Sequence, residues 1–449
     1  MKVILRKGEN VRSLAKEEFT ILVNVKFATW TRVTDVALNI INMVENLELG
    51  RAIRTIGENF NVNQQQAEAF IEFMTERGIL KKEEKFEALE PIELDNNSEA
   101  GLAHCYLHLT KYCNLRCGYC SYNAGENYDK EQLPTSKFKS IIRRLAINKI
   151  SQLVFAGGEP LCSENFFEIV KYARDFFPEL GMVTNGTLIN SENAEFITKY
   201  IDKVQISLDS GVRQEHDLIR GEGSYDKTIN GIKLLKQCGH QHVKIAPTTN
   251  KININNIEEI VRVAKNLDVM LDIRFFLPIG RGCCNEDEFS ISYEQRADVF
   301  KRVWRECKRI GYDKYSIKHF NDAYVGIKTS CGICQQKICV DVNGEIYPCA
   351  FLMEDSFKIG NIFDRVPIME TIKLSSIGKE LMVRDVDNIE GCKTCEVRYF
   401  CGGGCLAVNE GGCTAANHGE AEFCKPYRDL MSKFVWNFDG DYDKLLNSL

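Results

Sequence analysis

Three cysteines within eight residues, Cys113, Cys117 and Cys120 in the stretch CNLRCGYC, hold the densest chemistry in this chain. Their spacing, three intervening residues and then two, lets one loop bring three thiolates onto a single small inorganic core. A four-iron cluster takes four ligands, so a three-thiolate loop leaves one iron for a ligand that is not protein. An open coordination position marks a reactive site, whereas full ligation marks a structural one. On spacing alone a zinc ion completed from elsewhere in the chain is an equal reading. More cysteines crowd the last third: Cys331, Cys334, Cys339 and Cys349, then Cys392, Cys395, Cys401 and Cys405, then Cys413 and Cys424. A zinc ribbon also uses C-x2-C pairs, but a following C-x5-C-x3-C is not its habit.

Other candidates lie between these groups. Gly157-Gly158-Glu159-Pro160 combines two glycines, which let backbone approach a ligand, with a carboxylate for an ammonium group. Ser207 and Asp209, in ISLDS, can hydrogen-bond sugar hydroxyls. Arg220 can clamp a carboxylate, with a surface salt bridge as the bland alternative.

The elements that must position these residues read as strand, loop, helix, six times over. Candidate strands are 104–110, 152–157, 181–185, 203–208, 242–248 and 272–278. Helical patterns near 135–148, 164–177, 191–200, 226–238, 256–267 and 293–310 follow them. Six such units predict an α/β fold, a partial (β/α)6 TIM-like barrel with right-handed crossovers. The polar and glycine motifs fall at strand ends, where such a barrel builds its active site.

Residues 1–85 read as a separate module. Phe19 to Trp30 suits strands, and three helices follow. The first, capped by Thr34 or Asp35, carries Val36, Ile40, Met43 and Val44. The second runs over 49–60, and the third carries Ala67, Phe70, Ile71 and Met74 and closes at Gly78. The shape is that of a winged helix-turn-helix, yet the module has 13 Lys and Arg against 12 Asp and Glu, with no basic stripe on the third helix. DNA binding needs a clustered positive footprint, which argues against it. Residues 81–100, charged and without a period, read as a linker.

The order CNLRCGYC, GGEP, TNGTLI at 184–189, ISLDS and the Arg220 segment resembles the radical S-adenosylmethionine superfamily. The resemblance implies that Cys113, Cys117 and Cys120 hold a catalytic 4Fe-4S cluster whose open iron is chelated by the amino and carboxylate groups of S-adenosylmethionine. It places Tyr119 near the adenine, Gly157, Gly158, Glu159 and Pro160 at the methionine amine, and Ser207, Asp209 and Arg220 in the same cofactor site. One electron from the reduced cluster would then release a 5'-deoxyadenosyl radical, which takes a hydrogen atom from an unactivated carbon.

Residues 331–428 resemble the SPASM extension of that superfamily, which implies two auxiliary 4Fe-4S clusters. Cys392, Cys395, Cys401 and Cys424 would bind the second, with Cys413 the rival to Cys424. Cys331, Cys349 and Cys405 would bind the first, its fourth ligand being Cys334, Cys339 or an open iron. The other cysteines (Cys105, Cys162, Cys238, Cys283, Cys284, Cys307, Cys339 and Cys413) read as small buried residues. The N-terminal module resembles the recognition element fused to enzymes that modify ribosomal peptides, where a leader peptide adds a strand to a sheet edge.

The resulting division is a recognition element over 1–85, a linker over 86–102, the barrel over 103–310 and the SPASM domain over 311–449. The implied activity is that of a sactipeptide- or ranthipeptide-type maturase forming thioethers between cysteine and carbon. Carbon-carbon crosslinking and peptide decarboxylation are the alternatives. Sulfatase maturation is disfavoured, since Ala350 stands after Cys349 where that branch carries an aspartate. A non-catalytic iron-sulfur or zinc protein is the reading from another class. Expected partners are a precursor peptide and an electron donor such as a ferredoxin or flavodoxin.

Composition narrows the field further. A formal charge of -6 over 449 residues argues against a general nucleic-acid or membrane-surface binder. The start, MKVILRKGEN, lacks an apolar signal region, and no long uncharged apolar run exists. A cytoplasmic setting is the expectation, in which 19 cysteines serve metal or redox chemistry rather than disulfides.

Overall fold

The computed structural model describes residues 2–16, 19–85, 101–129, 133–315, 327–409 and 424–437. It opens with β1 (Lys2–Lys7), β2 (Val11–Lys16), β3 (Phe19–Asn24) and β4 (Thr29–Thr34), followed by α1 (Asp35–Val44), α2 (Leu49–Phe60), α3 (Gln64–Glu76) and β5 (Leu80–Lys85). The strands expected over 19–30 are β3 and the start of β4, separated by a turn in which Ala28 takes φ 52°. Thr34 caps α1 by accepting from the Ala37 amide, and Asn63 and Gln66 form a reciprocal capping box on α3. Val36, expected on the apolar face of α1, is exposed, while Ile40, Ile41 and Val44 are buried. The stretch from 81 to 85 is not linker: β5 pairs antiparallel with β1 over its full length. The rest of the expected linker, through residue 100, lies outside the described residues.

β2, β3 and β4 form a three-stranded antiparallel sheet with two different faces. Leu22 and Val33 pack with the helices in a small core of their own. On the other face Leu14, Ile21 and Val23 join the main core. Arg12 pairs with Asp385 at 3.0 Å and Asp387 at 2.7 Å, Lys16 pairs with Glu396 at 3.0 Å, and Trp30 meets Phe400 edge to face at 5.3 Å. The module is therefore seated on the late cysteine-rich region.

The central part runs β6 (His104–Thr110), α4 (Thr135–Ile147), β7 (Gln152–Gly157), α5 (Phe166–Ala173), β8 (Glu179–Thr184), α6 (Ser191–Tyr200), β9 (Lys203–Ile206), α7 (Arg213–Arg220), α8 (Ser224–Gln237), β10 (Val243–Ile245), β11 (Thr248–Thr249), α9 (Ile257–Asn266), β12 (Met270–Leu271), β13 (Arg274–Phe275), α10 (Arg281–Cys284), α11 (Glu286–Phe289) and α12 (Tyr293–Ile310). β6, β7, β8, β9, β10 and β12 lie side by side in chain order, all parallel. Such strands are buried on both faces, which is why their sequences read as continuous apolar runs. The expected fifth strand divides into β10 and β11; the expected sixth, over 272–278, contains only β13, with the sheet strand β12 lying just before it, and β11 and β13 form a separate two-stranded pair. α7 interrupts the expected period as an extra helix and carries Arg220 as its last residue.

Beyond α12 come β14 (Lys337–Val340), β15 (Glu345–Tyr347), β16 (Gly360–Asn361), α13 (Ile368–Leu374), α14 (Ser376–Met382), α15 (Arg398–Cys401), α16 (Leu406–Asn409) and α17 (Cys424–Asn437). β14 pairs parallel with β6, and β15 and β16 continue antiparallel, so one nine-stranded sheet crosses the expected boundary at 310. Among the described residues no helix is long and apolar enough to cross a membrane.

Candidate active site

The three-cysteine loop leaves the end of β6 and is held from three sides. Beneath it, the Gly158 amide donates to the Thr110 carbonyl at 2.7 Å and the Glu159 amide to the Tyr112 carbonyl at 3.0 Å. A Cβ on Gly157 would lie 2.5 Å from the Thr110 oxygen, and one on Gly158 would lie 2.1 Å from the Tyr112 oxygen. The close approach these glycines permit is thus to the base of the cysteine loop. On one flank the 184–189 segment ties in. Asn185 Nδ2 donates to Asn114 Oδ1 at 2.9 Å, and Asn114 Nδ2 to Thr187 Oγ1 at 2.9 Å. On the other, Arg281 donates to the carbonyls of Cys117 at 2.7 Å and Ala124 at 2.6 Å, and Asn285 to that of Gly118 at 2.7 Å.

Each of the three sulfurs receives an N–H. The Ala124 amide points at Cys120 Sγ at 3.4 Å, Asn185 Nδ2 at Cys113 Sγ at 3.9 Å and Arg220 Nη1 at Cys117 Sγ at 3.7 Å. Burial pushes the Cys113 thiol up to about 12, reinforced by the Glu159 charge and by Cys117 and Cys120. Burial likewise pushes Cys117 up to about 11, which the Arg220 charge offsets in part. Thiols with such pKa values become thiolates when a cation binds them. The donor set fits an iron-sulfur cluster, since N–H groups aimed at sulfur are among the features that tune one.

Glu159 does not reach the open space above the loop. It is fully buried, and its oxygens accept from Thr184 Oγ1 at 2.7 Å, the Leu161 amide at 3.2 Å and the Asn185 amide at 2.8 Å. Burial raises it to about 6 even so. Here its carboxylate joins the 184–189 segment to the loop, and Pro160 starts the short helical turn that follows, also buried.

Asp209 and Arg220 form a buried ion pair. Arg220 Nε donates to Asp209 Oδ2 at 2.5 Å, Arg220 Nη2 to the Tyr119 hydroxyl at 2.6 Å, and that hydroxyl to Asp209 Oδ2 at 2.5 Å. Asp209 is fully buried and Arg220 is 9% exposed, so the pair is not a surface salt bridge, while Arg220 also lines the cavity above the loop. Arg220 holds the Asp209 carboxyl below its ordinary range against the desolvation that would raise it. The Asp209 amide donates to His216 Nδ1 at 3.2 Å, and the Tyr119 ring packs edge to face on Phe289 at 5.6 Å.

Above the loop opens a cavity of about 1490 Å3. Cys113, Cys117, Cys120, Tyr119, Gly157, Gly158, Ser207 and Arg220 line one part, and Cys331, Cys349, Cys401 and Cys405 line another. Glu159, Pro160 and Asp209 stay behind its wall.

The late cysteines fall into two neighbourhoods. Cys334 lies within electrostatic reach of Cys331 and Cys349, and Cys349 of Cys405. Cys392 lies within reach of Cys395, Cys401 and Cys424. Cys339 also feels Cys349, but its Sγ lies 3.6 Å from His108 Nε2, whose Nδ1 is 3.3 Å from Asp341. Backbone amides two or three residues on point at the sulfurs: Leu115 at Cys113, Phe351 at Cys349, Val397 at Cys395, and Gly404 with Gly403 at Cys401. Among the described residues no three His, Cys, Asp or Glu side chains gather tightly enough for a single metal ion. Of the cysteines expected to be small buried residues, Cys105, Cys307 and Cys339 are buried and Cys162 and Cys238 half-buried. Cys284 is exposed, Cys283 is half-buried and disulfide-bonded, and Cys413 lies outside the described residues.

Asn114, Thr184, Asn185, Arg281 and Asn285 are missing from the residues that motif reading selects. The TNGTLI stretch carries a signal for Thr184 and Asn185, while nothing local marks Arg281 or Asn285.

Residues 107–264 match the family profile described as the radical SAM superfamily. The mycofactocin maturase MftC of Mycolicibacterium smegmatis is 28% identical over 306 residues, covering 67% of this chain and 77% of that protein. Among solved structures, native anSMEcpe with bound AdoMet superposes with a TM-score of 0.60 at 21% identity, covering 77% of this chain and 99% of the other. Streptococcus suis SuiB bound to precursor peptide SuiA gives 0.57 at 15% identity, covering 94% and 99%.

Proposed function

From the radical SAM domain that residues 107–264 carry, with the S-adenosylmethionine and 4Fe-4S cluster such a domain implies, we propose a maturase that installs thioether crosslinks in a ribosomally made precursor peptide. The observation that carries this reading is the single cavity shared by the three-cysteine loop and the Cys331, Cys349 and Cys405 thiols. Such an arrangement suits a substrate held between a radical source and a second redox centre. When bound, the cluster and S-adenosylmethionine supply a 5'-deoxyadenosyl radical able to take hydrogen from an unactivated carbon.

The chain's own residues do the positioning. Cys113, Cys117 and Cys120 hold the catalytic cluster, with Asn185, Arg220 and Ala124 donating to their sulfurs. Tyr119, Ser207 and Arg220 face the cofactor, and Gly157, Gly158, Glu159, Pro160 and Asp209 form the frame behind them. Cys392, Cys395, Cys401 and Cys424 bind one auxiliary cluster. Cys331, Cys349 and Cys405 bind the other with Cys334, which lies near two of the three, whereas Cys339 is engaged by His108. Residues 1–85 act as the leader-peptide recognition element, residues 311–449 as the SPASM domain, and a ferredoxin or flavodoxin supplies electrons. Similarity to the mycofactocin maturase and to the fold of a structure holding a precursor peptide favours a peptide substrate.

Protein purified without oxygen is expected to hold about twelve irons, four for each of three clusters, and to form 5'-deoxyadenosine when reduced with S-adenosylmethionine. A peptide encoded in the adjacent reading frame should lose two hydrogens per crosslink, read by mass spectrometry. Zinc in place of iron, or no nucleoside product, would sink the enzyme reading; loss of carbon dioxide would replace crosslinking with decarboxylation.

A further inference from the structure

The cavity wall is strongly unbalanced in charge. Seven cationic side chains line it against a single carboxylate, Asp272. Most of the seven have an evident task. Arg220 is paired with Asp209, and Lys203 with Glu179 at 2.6 Å. Arg296 lies over the Phe275 ring at 5.3 Å. Lys328 and Lys337 lie within electrostatic reach of Cys401 and Cys349, respectively, where thiolates gain from a positive neighbour.

Lys244 and Arg274 remain, and they share one acceptor. Lys244 Nζ lies 3.1 Å and Arg274 Nη2 3.0 Å from the same oxygen, Oδ2 of Asp272. Arg274 Nη2 also donates to Gln205 Oε1 at 2.8 Å, which fixes the plane of the guanidinium. Two cations on one carboxylate leave a net positive charge on the wall. The Tyr106 phenol lies within electrostatic reach of Arg274, Asp272 and Cys349 alike, which puts this pair in the part of the cavity that Cys349 faces. A fixed guanidinium beside an ammonium suits a planar, singly charged acceptor such as a carboxylate.

Resting on the peptide-maturase reading above, we propose that Lys244 and Arg274 form an anion subsite that takes a carboxylate of the peptide substrate, either an acidic side chain or the free C-terminus. The substrate segment drawn into the cavity is therefore anionic, and the subsite holds it in the part of the cavity that Cys349 faces. The two carboxylate sources share the same chemistry and differ only in where the peptide carries it.

Three N-acetylated pentapeptides test this by calorimetric titration into the full-length, anaerobically reconstituted protein with S-adenosylmethionine. They are amidated Ala-Gly-Asp-Gly-Ala, amidated Ala-Gly-Asn-Gly-Ala, and the latter as a free acid. At least one acid is expected to bind about tenfold more tightly than the neutral amide, the scale of a hydrogen bond to a charged group. Preference for the first acid assigns the subsite to side chains, and preference for the second assigns it to the C-terminus. Arg274→Gln should abolish the preference, and Lys244→Gln provides a second variant should the first fail to fold. Equal binding of all three peptides by the unaltered protein, or a preference surviving in a folded Arg274→Gln variant, would overturn the subsite. Assay of 5'-deoxyadenosine in the same preparation separates the two ideas. Nucleoside formation without an acid preference removes the subsite alone, and an acid preference without nucleoside removes the radical chemistry alone.

Discussion

Besides the local Leu115 amide, the thiols of Cys113, Cys117 and Cys120 take donors from Asn185 and Arg220, far along the chain, and from the Ala124 amide. The thiols of Cys395 and Cys401 take amide donors from Val397 and from Gly404 and Gly403, two or three residues on. The first group is thus wired to segments that follow strands of the parallel sheet, whereas the second takes its amide donors from its own turns. Distant donors tie the loop to the parallel sheet, while the later group keeps its amide donors local and takes charge from farther off, as from Lys328 at Cys401. A centre that must respond to a ligand suits the first construction, and one that only passes electrons suits the second.

The sharpest way to break this contrast is to remove one thiol from each group. Cys117→Ala is expected to reduce 5'-deoxyadenosine formation to background while keeping about eight of about twelve irons. Cys395→Ala should lose as much iron yet keep cleavage of S-adenosylmethionine within about tenfold. Equal loss of cleavage in both would erase the distinction.

Next in size is the buried pair behind the loop. Arg220→Met strands the Asp209 carboxylate without its cation and should destabilise the protein by about 3–5 kcal/mol. Asp209→Asn added to that variant should restore part of the loss, because no buried charge then remains. Calorimetry of both under anaerobic conditions checks the order.

A smaller, pH-dependent effect comes from His216. Burial pushes this imidazole down to about 4, and its Nδ1 accepts the Asp209 amide. Below its ordinary value of about 6.5 the unfolded chain takes up a proton that the folded protein refuses until about pH 4. Stability therefore falls as pH drops through that window, by up to about 3 kcal/mol. His216→Gln should flatten this slope in denaturation curves collected across it.

Much of the parallel sheet was legible in the chain because parallel strands covered on both faces advertise themselves as unbroken apolar runs, as in QLVFAG at β7. The cysteine loops were legible because ligand spacing is local. What escaped were contacts across long separations. Glu159 looked like a ligand-facing carboxylate and is an internal tie, since its partners at 184 and 185 share no pattern with it. Arg220 read as a clamp for a carboxylate or a surface salt bridge, and the sequence did not disclose its buried partner Asp209, eleven residues earlier. β5 looked like linker because its charges hide a strand that pairs with β1, at the far end of its module.

The grip of Arg281 and Asn285 on the cysteine loop also sets an order of manufacture. Cys117 and Arg281 are 164 residues apart. A ribosome adding about 5–20 residues per second needs about 8–30 s to travel from one to the other. Through that interval the three thiols exist without one of their braces. An iron-sulfur donor acting on the nascent chain would meet a loop not yet held in shape, so delivery after this segment has emerged is the course the architecture favours.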